Sequence, residues 1–213
     1  DVVCAPEITG IAVHEAAGHP YEADRIAGRE AAQAGESFIK ESMVGERIGS
    51  DCVTVVDDPS LEGSYGFYKF DDEGVKGKRK VMIENGKIKE FMHDRSTSDQ
   101  MGRQSNGAAR ANNYDVEPLV RMSNTFLLPG DHTEQELIEG VKNGVYLKSF
   151  MEWNIDDVRY NQKYVGCEAF LIENGELTKA VKAPALEITT PKLWGSIDAI
   201  AKKVELYAGT CGK

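Results

Sequence analysis

The chain has 213 residues, 41% hydrophobic and 28% charged, which is enough apolar material for a folded core and too much for a disordered chain. Its 25 basic against 35 acidic side chains leave a net charge of −10, which argues against a nucleic-acid-coating protein. No apolar run reaches the roughly 20 residues of a membrane-spanning helix.

In chain order, Pro6 or Glu7 to Gly18 reads as a helix, with Ile8, Ile11, Ala12, Glu15 and Ala16 at helical spacing and Pro20 ending it. Residues 21–41 read as further helix or an ordered excursion broken by Gly28 and Gly35, and Cys52–Val56 as a buried strand. The Asp-, Gly- and Lys-rich stretch 57–78 is a long surface loop. Asn85-Gly86 and Asn174-Gly175 each sit between strand-like runs, the strongest short signal for a hairpin. The similarity of Ile83–Ile88 to Ile172–Leu177 reflects shared turn chemistry rather than duplication.

Pro118–Leu128 reads as a strand. Thr133-Glu134-Gln135-Glu136 reads as a capping box opening a short helix that Asn143-Gly144 closes. Val145–Trp153 alternates as a strand. Near the end, Thr190 caps and Pro191 opens a helix whose stripe is Leu193, Ile197, Ile200 and Val204. Hairpins with helices between them imply an α+β fold, mainly antiparallel, and no linker divides residues 1–213, so one domain is expected. The chain starts at Asp1 and stops at Cys211-Gly212-Lys213, and both ends read as cuts in a longer protein. Four cysteines without a CxxC pair suit a reducing, cytoplasmic setting.

The segment His14-Glu15-Ala16-Ala17-Gly18-His19 carries the chemistry. Two imidazoles flanking an acid on a helix are how zinc hydrolases place a metal site beside a general base. In HExxH the histidines are four apart and share a face; five apart, as here, they diverge by roughly 140° on a regular α-helix. One ion can take both only if the helix is altered by a π-bulge or a break, for which Gly18 supplies backbone freedom and Pro20 a stop. A third ligand is required, and Glu22, Asp24, Glu30 and Cys211 are all candidates.

These residues, with Gly10–Val13, Glu22-Ala23-Asp24, Ile83–Ile88, Val120–Thr125 and Gly209–Lys213, resemble the TldD/PmbA metallopeptidases, also called modulators of DNA gyrase. The likeness runs along essentially the whole chain and is to the catalytic, TldD-like branch. It implies zinc on His14, His19 and Cys211, with Glu15 as the catalytic acid. It further implies a cytoplasmic peptidase for unfolded or small peptides, including microcin precursors and antitoxins. The enzyme would work as a homodimer or as a heterodimer with a homologous subunit, with no direct nucleic-acid or membrane contact. In the family an N-terminal domain precedes the catalytic one and a tail follows it. Neither is present in this sequence, and Pro20 stands where relatives often carry Gly.

Other signals are bland. His93 reads as a hydrogen-bonded loop histidine, His132 as a residue before a helix cap, and Arg103, Arg110 and Arg121 as solvated. Cys4, Cys52 and Cys167 lie in apolar strings and read as core. Neither GxSxG nor a P-loop is present. The competing function is a non-catalytic peptide-binding or regulatory subunit. A third, cysteine-nucleophile hydrolysis by Cys211, lacks an orienting Asn.

Overall fold

The computed structural model describes residues 1–29 and 36–209. Strand β1 (Val2–Cys4) leads into helix α1 (Pro6–Val13), and the short helix α2 (Ala23–Ile26) precedes strands β2 (Val55–Asp57), β3 (Lys80–Glu84) and β4 (Lys87–Ile88). Helix α3 (Arg95–Gln100), strands β5 (Ala109–Arg110), β6 (Leu119–Val120) and β7 (Thr125–Leu127), and helix α4 (Glu134–Glu139) follow. The remainder runs through β8 (Asn143–Leu147), β9 (Phe150–Ile155), β10 (Asn161–Gly166), β11 (Ala169–Glu173), β12 (Glu176–Ala180), β13 (Ala185–Thr189) and α5 (Thr190–Gly195).

The strands form sheets ordered β1-β8-β11-β12, β13-β10-β9, β4-β3-β2-β7 and β5-β6. Apart from the parallel pair of β1 with β8, the ladders within these sheets are antiparallel, the mixed architecture that the hairpin signals imply. Both Asn-Gly turns close as expected, with φ of 48° and 74° at Asn85 and Gly86 and of 53° and 83° at Asn174 and Gly175. The Thr133–Glu136 capping box is formed in both directions.

Several elements differ from expectation. The stretch after Tyr21, expected as further helix or an ordered excursion broken by glycines, gives one helical turn, α2, before Gly28 turns left-handed at φ 70°; Glu22 is extended, with φ −71° and ψ 116°, and Gly35 lies outside the described residues. Pro118–Leu128 divides into β6 and β7, because residues 121–124 bend to hydrogen-bond Asp57 at the end of β2 and Asp58 just beyond it. Val145–Trp153 divides into β8 and β9, which belong to different sheets. The closing helix stops at Gly195, so Val204 is exposed rather than part of a stripe. Cys52 and Cys167 are exposed and only Cys4 is partly buried, so an apolar sequence neighbourhood did not bury them.

Helix α1 and the turn after it sit between two parts of the core. Ile8 packs with Leu147, Tyr164 and Ala169 on one side. Val13, Ala16, Ala17 and Tyr21 pack with Val55, Met82, Ile83, Ile88 and Trp194 on the other. Burying each of these large side chains contributes about 1.5–3 kcal/mol, so the segment bearing the histidines is anchored on both flanks.

Candidate metal centre

At His14 the α-helix widens. Residues His14–Gly18 are π-helical, and the His19 amide donates to the His14 carbonyl, the i→i+5 bond that sets position 19 over position 14. The imidazoles consequently meet edge to face, with ring centroids 4.6 Å apart. One donor atom each from His14, Glu15 and His19 lie within 4.8 Å of one another.

Pro20 explains part of this local geometry. It has no N–H, so in an α-helix the Ala16 carbonyl would be orphaned. The buried Trp194 indole of α5 takes that carbonyl instead, at 3.2 Å, tying the end of the chain's last helix to the π-turn. Gly18 acts differently from expectation. Its φ of −59° is ordinary for any residue, whereas a Cβ there would lie 2.6 Å from the Met122 sulfur. Small size, not backbone freedom, is what this position uses.

His19 is oriented from behind. Its Nδ1 lies 3.0 Å from Glu22 Oε2 in a fully buried pair, leaving Nε2 toward the cluster. Arg25 Nε also donates to Glu22, and Arg121 lies 3.8 Å from the same oxygen. Burial alone would raise the Glu22 pKa, but His19, Arg25 and Arg121 outweigh it and hold the carboxyl at about 2. A carboxylate behind a ligating histidine fixes its tautomer and raises its basicity. His14 is held neutral, at about 3, by burial and then by the neighbouring His19, which leaves its lone pair available to a cation.

Glu15 is 4% exposed. Its Oε1 accepts from Trp153 Nε1 at 3.0 Å and its Oε2 from Arg159 Nη1 at 2.5 Å. Neither partner stands out in the sequence; they are 138 and 144 residues away, and no local spacing signals them. The donor set, two imidazoles with a carboxylate alongside, fits a zinc-type cation that retains further coordination positions.

Of the candidate third ligands, Glu22 is committed to His19 and Arg25. Asp24 accepts from its neighbour's amide at 2.9 Å and faces Arg121 at 3.6 Å, with burial and then Glu22 pushing it up to about 7. Glu30 and Cys211 lie outside the described residues. Gly209, the last of those, lines the same cleft as His14, Glu15 and His19. That cleft, about 3010 Å³, far exceeds a small-molecule pocket of roughly 300–1,000 Å³.

Arg121 is a partly buried partner of Glu22 and Asp24 rather than a solvated arginine, and Arg110 stacks 4.9 Å from the Tyr68 ring centre. His132 precedes the Thr133 cap. His93 is buried, 3.3 Å from Thr97 Oγ1. Burial, only partly offset by Asp94, lowers its pKa from 6.5 to about 4. The unfolded chain therefore binds this proton more tightly, so the folded state loses stability as pH falls from about 6.5 toward 4. Urea unfolding of His93→Gln across that range is expected to show a flatter pH profile than wild type; an identical profile would remove His93 as the cause.

The family model described as the PmbA/TldA metallopeptidase C-terminal domain matches residues 1–212. A metalloprotease of Methanocaldococcus jannaschii is 42% identical over 212 residues, covering 100% of this chain and 45% of that protein. A zinc metalloprotease TldD homolog of Saccharolobus solfataricus is 34% identical over 213 residues, covering 100% and 46%. The chain thus spans less than half the length of these relatives. The crystal structure of TldE from Thermococcus kodakarensis shares the fold, with a TM-score of 0.78 at 21% identity over 95% of this chain and 44% of that one.

Proposed function

The chain belongs to the PmbA/TldD metallopeptidase family as its C-terminal domain, and from that premise we propose that it carries the active site of a zinc-dependent peptidase. The observation behind this reading is the π-turn that converges His14, Glu15 and His19. His14 and His19 would hold the zinc with Cys211 as the third ligand; a thiolate suits zinc and leaves a position open for substrate. When bound, zinc supplies Lewis acidity to amide hydrolysis.

The protein's own groups do the rest. Glu15 takes the proton of the attacking water and delivers it to the leaving amine. Each of its oxygens keeps a lone pair beyond the one engaged by Trp153 or Arg159, so the carboxylate can still accept that proton. Unfolded or small peptides are the proposed substrates. Strand β9 is the outer strand of its sheet, with Met151, Glu152, Trp153 and Asn154 exposed, and an extended peptide adding to it would lie beside Glu15. Main-chain pairing of this kind demands little of the peptide's sequence.

A homodimer, or a heterodimer with a homologous subunit, and a cytoplasmic setting complete the proposal. The unbridged thiols Cys4, Cys52 and Cys167 are in keeping with that compartment. No helix among the described residues is long and apolar enough to cross a membrane.

Zinc content of the full-length protein tests the ligand set. About one equivalent is expected in wild type and little in His14→Ala or Cys211→Ser. Equal zinc in all three would overturn the site and favour a peptide-binding subunit without turnover.

A further inference from the structure

We propose that Arg159 is a positioning residue for Glu15, acting with Trp153 as a two-point clamp; the proposal rests on the reading of Glu15 as the general base. Arg159 lies in the turn between β9 and β10, a place where an arginine ordinarily extends into water. Here it is 7% exposed and its guanidinium is aimed inward at Glu15. Its backbone has φ of +66°, a left-handed conformation that side-chain-bearing residues seldom adopt. Such a conformation persists only where the surroundings over-determine it.

The surroundings do so. Asp156 accepts the Tyr160 and Asn161 amides at 2.7 and 3.0 Å, and its carbonyl takes the Arg159 amide at 3.1 Å. The fully buried Thr190 hydroxyl donates to the Arg159 carbonyl at 2.6 Å and accepts from Gln162 at 2.5 Å. A network of this extent around one turn fixes the backbone from which the Arg159 side chain projects, and the Glu15 carboxylate holds its guanidinium end. With Trp153 Nε1 on one oxygen and Arg159 on the other, both the place and the plane of the Glu15 carboxylate are set. A buried ion pair with no other task could be replaced by apolar groups at little cost. This one adjoins both histidines, and both its donors come from β9 and its turn, the strand proposed to receive the peptide.

The test uses the full-length protein. In the zinc-loaded form, Arg159→Met is expected to lower kcat by about 10²-fold, the cost of a misplaced reacting group, with KM little changed. Arg159→Lys should recover most of that loss. In a Glu15→Ala background Arg159→Met should add nothing, since it acts through the absent group. In the metal-free protein, the Trp153 indole N–H resonance, assigned by its disappearance in Trp153→Phe, should shift in Glu15→Ala and Arg159→Met but not in Arg159→Lys. An unchanged kcat in Arg159→Met, a further loss in the Glu15→Ala background, or an indole signal indifferent to Arg159 would each overturn the clamp. Should Arg159→Met not fold, Trp153→Phe decides: kcat falling about tenfold supports the clamp and unchanged kcat overturns it. Cleavage retained in Glu15→Ala would instead remove the general-base reading, while the indole signal would still report the clamp.

Discussion

Glu15→Gln in the full-length protein is expected to lose cleavage by about 10²–10⁴-fold while keeping its zinc. The amide has the size of the carboxylate and can still accept from Trp153, but it cannot hold the proton of an attacking water. The ligands proposed for the metal are His14, His19 and Cys211, so the metal content should be untouched. The substitution also leaves the buried Arg159 without its anionic partner, 2.5 Å away in wild type, so a fall in stability accompanies it. Thermal unfolding must therefore be measured beside kcat, so that lost chemistry is not confused with lost protein. Folded, zinc-bound Glu15→Gln with wild-type turnover would end the role assigned to this residue.

Glu22→Gln is expected to weaken zinc binding by about 10–100-fold, the usual cost of removing the group behind a ligating histidine. The same change should destabilise the metal-free protein by about 3–5 kcal/mol, because Arg25 and Arg121 lose a buried counter-charge. The pH dependence follows from the pKa near 2. A carboxyl held below its ordinary 4.5 contributes stability that is fully present above about 4.5 and lost as pH falls toward 2. Glu22→Gln should abolish that acid-sensitive share. Zinc competition with a chelator and urea unfolding at two pH values read both effects, and no change in either would show that His19 is oriented by something else.

The sequence was most informative where chemistry is local. Asn-Gly turns, the Thr133–Glu136 box and the five-residue separation of His14 and His19 each constrain only neighbours, so the hairpins, the cap and the need for a widened turn could be read directly. Longer apolar stretches misled, because periodicity does not reveal where a chain must bend. Residues 121–124 break one expected strand to serve Asp57 and Asp58, and Lys148-Ser149 break another at a change of sheet. The clamp on Glu15 was not legible at all. Trp153 and Arg159 resemble any strand aromatic and any turn cation until the fold carries them across more than a hundred residues.

The unpaired border of β9 carries a liability as well as an opportunity. A strand with open N–H and C=O groups and solvent-exposed Met151 and Trp153 is a template for edge-to-edge aggregation. Glu152 in its middle, Asp156 and Asp157 just beyond its end, and a net charge of −10 place like charges opposite one another whenever two copies approach. The acidity of the chain, which argues so little about fold, thus acts as a gatekeeper: it discourages self-pairing along the margin proposed above to receive a peptide.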